Sequence, residues 1–181
     1  MIIFYILMCI LWCSVCEWTL HRYVMHRSLL GFTYAFNAHT KVHHNVYKYD
    51  KTYHAQIGDD GNKIPMAWWN GIVISILAGL PMFIFGYKMF LLTFVFSMCY
   101  YGVYEFIHWC MHLPKRRRVE HKWWYRKLNG HHLLHHRYMN KNYNVVLPFA
   151  DWLFGTLLLR SPIKFSQCRP SYCIPNVQPS N

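Results

Sequence analysis

Two long apolar runs leave this chain few ways to fold. Residues 1–20 carry no charged side chain before Glu17, and residues 66–107 carry one, Lys88, before Glu105. About 20 helical residues cross the hydrocarbon core of a bilayer. The first run predicts one span, and with neither a basic leader nor a small-residue cleavage site it reads as uncleaved. The second run is too long for one crossing. Gly86-Tyr87-Lys88 divides it into 66–85 and 89–107, a helical hairpin whose first arm Pro81 kinks near its end. The expected fold is all-α, an integral membrane helical bundle of about three spans with a histidine-rich helical cap. Residues 1–161 form one domain, and the proline-dotted stretch 162–181 is a poorly ordered tail.

Charge orients these spans. The chain has 19 Lys and Arg against 7 Asp and Glu, a net charge of +12. A soluble protein so basic would suggest nucleic acid. Here every basic residue but Lys88 lies in 22–63 or 115–169, outside the apolar runs, so anionic lipid headgroups are the expected partner and nucleic acid is not. The positive-inside rule places 21–65 and 108–181 in the cytoplasm. Trp68, Trp69, Trp123 and Trp124 sit where interfacial aromatic belts belong. Cys9, Cys13, Cys16, Cys99 and Cys110 read as small apolar residues, and Cys168 and Cys173 as free thiols on a reducing face. Asp59-Asp60-Gly61-Asn62 signals a turn in the polar connection 45–63, and 108–137 reads as helix broken near Pro114.

Eleven of the 13 histidines form four clusters, all on that basic face: His21 and His26; His39, His43 and His44; His108 and His112; His131, His132, His135 and His136. Neutral imidazole is the commonest transition-metal ligand. His21 and His26, five apart, diverge by ~140° on an ideal α-helix and so serve two metals or meet at one through a bend. His39 and His43 share a helix face at i, i+4, as do His108 and His112, while His44 points elsewhere. Four imidazoles in six residues repel one another when protonated, and a metal removes that conflict by requiring the neutral form. His132, His135 and His136 complete an HxxHH unit without His131. His54 reads as a surface residue, with an extra ligand or a group that supports a ligand as its other role, and His121 reads as a surface residue.

Taken in order, HRYVMH at 21–26, HTKVHH at 39–44, YEFIHWCMH at 104–112, HHLLHH at 131–136 and NYNVVLPFADWLFGT at 142–156 resemble the fatty acid hydroxylase superfamily. These are the membrane-bound histidine-box oxygenases that include sterol desaturases and fatty acid hydroxylases. The resemblance covers roughly residues 17–156. It implies a helical membrane domain, two Fe ions as a diiron centre, O2 as co-substrate, and electrons from a b-type cytochrome or a ferredoxin with its reductase. It implies as ligands His21, His26, His39, His43, His44, His108, His112, His132, His135 and His136. Glu17, Glu105 and Asp151 are expected to orient ligand imidazoles through the second ring nitrogen, with a helix cap or an ion pair as the other role for Asp151. Two departures stand out. The second box reads HxxxHH where HxxHH is usual, with Thr40 at the usual histidine position, so that His39 either reaches the metal from a changed register or is lost as a ligand. Asn144 replaces the usual glycine, in a turn that Asn tolerates. Some members carry further upstream spans or a fused b-type cytochrome domain, and neither is read here.

The expected function is hydroxylation or desaturation of a membrane lipid, a fatty acyl chain or a sterol, in lipid biosynthesis. The expected location is the endoplasmic reticulum of a eukaryote or the inner membrane of a bacterium. Two other readings use the same residues. One is a zinc- or copper-binding membrane protein or transporter, although a transporter needs ligands near the bilayer midplane. The other is an inactive structural derivative of the fold.

Overall fold

A computed structural model describes residues 2–56 and 58–159. The tail 162–181, with Cys168 and Cys173, and the boundary at 161 lie outside the described residues. Among those described the chain is all-helical, with no strand beyond an isolated bridge between Leu29 and Phe32. Helix α1 (Ile2–Leu20) runs directly into a π-helical turn, His21–Met25. The short α2 (Tyr34–Phe36) leads into a second π-helix, Asn37–His43, which ends in α3 (His44–Val46). Helix α4 (Trp69–Gly79) continues as a 3-10 stretch, Leu80–Phe85, and turns at Gly86 into α5 (Tyr87–His112). A 3-10 turn, Arg118–His121, precedes α6 (Trp123–Arg137), and α7 (Phe149–Leu153) closes the fold.

The apolar runs become the long helices. Ile3–Met25 and Tyr87–His112 are each long and apolar enough to cross a membrane, and Trp69–Phe85 is a shorter apolar helix. The tightening at 80–85 falls where Pro81 removes a backbone donor. Gly86 sits at φ +101°, a conformation open to glycine, and lets the two arms turn back within one residue. The arms pack closely because Gly71, Ser75, Ala78 and Gly79 put a buried stripe of small residues on one face of α4. A Cβ at Gly71 would lie 2.6 Å from the Tyr101 ring, and one at Gly79 would lie 2.9 Å from Phe90.

The core sits at the histidine-bearing end of this bundle. Tyr104, Ile107, Cys110 and Met111 of α5 pack with Tyr125 of α6 and Val145. Trp18 of α1 packs with Tyr143 and Ala150. Cys9, Cys13 and Cys110 are buried free thiols, but Cys99 is exposed. Trp68 and Trp123 are exposed, at 77% and 67%. The helix at 17–25 does not run on to residue 30, because the backbone bends after His26 and a tight turn closes between Leu29 and Phe32.

Candidate metal centre

The ten histidines His21, His26, His39, His43, His44, His108, His112, His132, His135 and His136 converge. They form two groups of five, and within each group the ligand atoms all lie within 4.8 Å of one another. Group A is His21, His26, His39, His44 and His135; group B is His43, His108, His112, His132 and His136. The groups abut, with ring centroids 4.3 Å apart between His44 and His136 and 5.1 Å between His39 and His43.

Helix type decides the sorting. In α5 and α6, residues four apart share a face, so His108 with His112 and His132 with His136 enter group B. In the two π-turns the i→i+5 bond brings residues five apart into line. The His26 amide donates to the His21 carbonyl at 3.1 Å, and the His44 amide donates to the His39 carbonyl. His21 with His26 and His39 with His44 therefore enter group A. Of the two arrangements open to His21 and His26, they take the one in which both meet in a single group, through the π-turn. One expectation from ideal α-geometry is corrected: His39 pairs with His44 rather than with His43.

The ring nitrogens are prepared for a cation. A main-chain carbonyl only accepts, so a ring nitrogen facing one carries the proton and the other nitrogen of a neutral ring is a bare lone pair. The Nδ1 of His112 donates to the Tyr53 carbonyl at 2.7 Å and that of His135 to Lys141 at 2.7 Å. His43 faces the Lys63 carbonyl at 3.4 Å, and His21 and His136 donate to the carbonyls of Tyr143 and Tyr47. Five tautomers are thus fixed with Nε2 bare. His132 Nε2 lies 3.0 Å from the bare Nε2 of His112 and 3.1 Å from that of His136, and one proton cannot serve both. In group A, His39 Nε2 lies 2.8 Å from that of His21 and 3.1 Å from that of His44. Ligand nitrogens about 2.0–2.1 Å from one metal ion stand roughly 3 Å apart. Both nitrogens of His108 and the Nε2 of His43 are buried with no protein partner. Such convergence of lone pairs, without donors to satisfy them, fits a metal in each group.

Electrostatics agrees. Burial, reinforced by the neighbouring His135, pushes His26 down to about 2. Burial takes His43 to about 3 and His135 to about 4, although the Lys63 and Lys141 carbonyls oppose it. His39, His44, His132 and His136 are driven well below the usual imidazole value by burial and by one another. These rings are neutral at physiological pH, the form that binds metal.

The family comparison falls into place beside this geometry. Residues 6–156 match the family described as Fatty acid hydroxylase. The chain belongs to this family. No curated protein and no solved structure matches it. Fatty acid hydroxylase members are membrane-associated oxygenases, so the fold carries an oxidoreductase-type histidine-box site. The longer second box of this chain is accommodated by the π-helix at 37–43. An i, i+5 pair there does what an i, i+4 pair does in an α-helix, so His39 stays in group A although the box is one residue longer.

None of the three carboxylates hydrogen-bonds to a histidine of either group, and Asp151 takes the other role expected of it, a pair with a basic neighbour. Glu17 accepts from the Tyr100 hydroxyl at 2.7 Å, the Asn144 side-chain amide at 3.1 Å and the Val145 backbone amide. Glu105 faces the Met66 amide at 3.3 Å. Asp151 does contact a histidine, but it is His131, at 3.1 Å, which belongs to neither group. The cause is position: Glu17 and Asp151 lie where α1 and the 142–156 loop join and Glu105 lies beside Met66 at the start of the hairpin, while the second ring nitrogens point at turns of the main chain. Asp151 instead ties the closing motif together, accepting from the amides of Tyr143 and Asn144 at 2.9 and 2.8 Å and the Thr156 hydroxyl at 2.6 Å. Burial alone would raise this carboxyl, but the bonds from His131, Thr156 and Asn144 outweigh it and hold it low.

The left-handed residues of the motif are Asn142, at φ +57°, and Gly155, at φ +66°, and not Asn144. Asn144 is fully buried, accepts from the Asp151 amide at 3.0 Å and donates to the Ser14 carbonyl at 2.9 Å. This knot holds the Lys141 and Tyr143 carbonyls against His135 and His21. Those carbonyls, with Tyr47, Tyr53 and Lys63, are the site groups that sequence reading misses, because every residue carries a carbonyl. His54 is half-buried rather than on the surface, its Nδ1 facing the Met111 carbonyl at 3.0 Å. His121 is exposed and outside both groups.

Proposed function

We propose that the protein is an O2-dependent diiron oxygenase that hydroxylates or desaturates a membrane lipid. The observation that carries this reading is the two groups of five neutral imidazoles, their tautomers set by main-chain carbonyls. Group A would hold one iron and group B the other. When bound, the irons supply activation of dioxygen and removal of hydrogen from an unactivated C–H bond. The chain's part is to keep ten imidazoles neutral, aim their Nε2 atoms and shield the site from water.

A lipid substrate is supported by an apolar cavity between α1 and α5 that reaches group A. Its walls include Cys13, Cys16, Leu20, His21, Tyr100 and Tyr104. A substrate dissolved in the bilayer could reach the metals along such walls without crossing water. In this reading Trp69–Phe85 is the third span. Its 11 α-helical and 6 3-10 residues reach roughly 28 Å at about 1.5 and 2.0 Å per residue, close to the ~30 Å core. The histidine face lies in the cytoplasm, where a b-type cytochrome or a ferredoxin delivers electrons.

Iron content tests the proposal. Detergent-purified protein from iron-replete cells is expected to carry about two irons per chain, with loss in His135→Ala/His136→Ala, which removes one ligand from each group. Lipids from cells with and without the protein should then differ by hydroxylated or desaturated species. Stoichiometric zinc without iron would overturn the oxygenase reading in favour of a zinc protein.

A further inference from the structure

Both π-turns are wider than an α-helix, and each places a histidine pair in group A. Something must fix one turn against the other if His21, His26, His39 and His44 are to meet at a single point. His21–Met25 ends at the bend after His26, so the Met25 carbonyl lies in the last turn of a helix, where it has no intrahelical donor. The Thr40 hydroxyl donates to that carbonyl at 2.7 Å. Thr40 lies in the middle of the second π-helix, next to His39. It also stands at the usual histidine position of the second histidine box.

We infer that Thr40 is a positioning residue that fastens the second π-turn to the end of the first and so aligns the group A imidazoles. Thr40 then has two effects. Its backbone is taken up by the i→i+5 register, which keeps His39 paired with His44. Its side chain closes the one side-chain to main-chain hydrogen bond recorded between the two turns among the described residues. Group B is built on α5 and α6 and receives only His43 from this segment, so it should depend on Thr40 far less. The link to metal rests on the proposed diiron centre, but the fastening itself does not.

The test compares the full chain in detergent with Thr40→Val, which keeps the shape and loses the hydroxyl, and Thr40→Ser, which keeps the hydroxyl. The first readout needs no metal: amide hydrogen exchange over 21–27 and 37–46 in chelator-treated protein. Thr40→Val is expected to exchange about tenfold faster in both segments, the effect of losing one hydrogen bond, with Thr40→Ser near wild type. Unchanged exchange in Thr40→Val overturns the inference. The second readout is iron per chain after anaerobic Fe(II) loading. Thr40→Val should keep about one iron where wild type keeps two, and adding His132→Ala should remove the remaining one. Two irons held as tightly in Thr40→Val as in wild type overturns the role in group A. Wild type that takes up no iron overturns the diiron reading, and the exchange comparison then decides Thr40 by itself.

Discussion

At the scale of single residues the centre depends on groups that never touch a metal. Asp151 is fully buried and accepts four hydrogen bonds, two on each carboxylate oxygen. In Asp151→Asn an NH2 group replaces one of these oxygens and meets two donors. The expected loss of stability is about 2–4 kcal/mol, since buried unsatisfied donors cost about 1–3 kcal/mol each. Denaturant or thermal unfolding in detergent measures it, and a variant as stable as wild type would show that the knot around Asp151 is dispensable. Ligand variants should divide by group. His26→Ala should weaken one metal and His112→Ala the other, so that each single variant retains about one ion per chain and the pair retains none. Elemental analysis reads this directly, and loss of both ions in each single variant would mean that the two groups bind as one unit.

At the scale of elements, helix type does more than helix identity. The same imidazole spacing would miss on a different helical repeat: i, i+4 pairs meet in α5 and α6, and i, i+5 pairs meet in the π-turns. The hairpin of α4 and α5 has its own requirement, a face without side chains where the arms touch. In Gly71→Ala the new Cβ would sit 2.6 Å from the Tyr101 ring, closer than real Cβ atoms approach. The ring or the helix must shift, at a cost of about 1–3 kcal/mol for overpacking. Gly102→Ala, with open space around the added carbon inside α5, is the control expected to keep or raise the unfolding midpoint. Equal midpoints for both variants would refute the close approach.

At the scale of the molecule, ten neutral histidines make the metal-free protein acid-sensitive. His26, His43 and His135 titrate near 2, 3 and 4 in the fold, against about 6.5 in an unfolded chain. Between those values the unfolded chain binds more protons, so stability rises with pH. Their contribution is complete above about pH 6.5. It falls as pH drops through 4 and continues to fall toward 2. Unfolding of chelator-treated protein should therefore show a midpoint that declines steadily below pH 6.5; a flat midpoint down to pH 4.5 would contradict it. The proposed topology has an equally direct check. A cysteine placed at Lys88, in a variant whose exposed Cys99 and the tail residues Cys168 and Cys173 are replaced by serine, should react with impermeant thiol reagent from outside intact cells. A cysteine placed at the exposed Lys127 should react only after permeabilisation, and the reverse pattern would invert the orientation.

The apolar runs, the hairpin break at Gly86 and the ten converging histidines were all legible in the sequence, because hydropathy, charge and ligand chemistry are properties of side chains. Which histidines meet could not be read there. That depends on whether 21–25 and 37–43 wind as α or π, a choice made by packing and by contacts such as Thr40 with the Met25 carbonyl. Nor could the groups that aim the imidazoles be read, since they are main-chain carbonyls brought in from residues as far as 122 positions away in the chain. The expectation that carboxylates do this work failed for the same reason: a carboxylate is visible in a sequence, and a carbonyl becomes specific only through its position in the fold. Sequence alone determined the chemistry available to this protein, and tertiary structure decided its partners, because hydrogen-bond direction and distance exist only once the chain is folded.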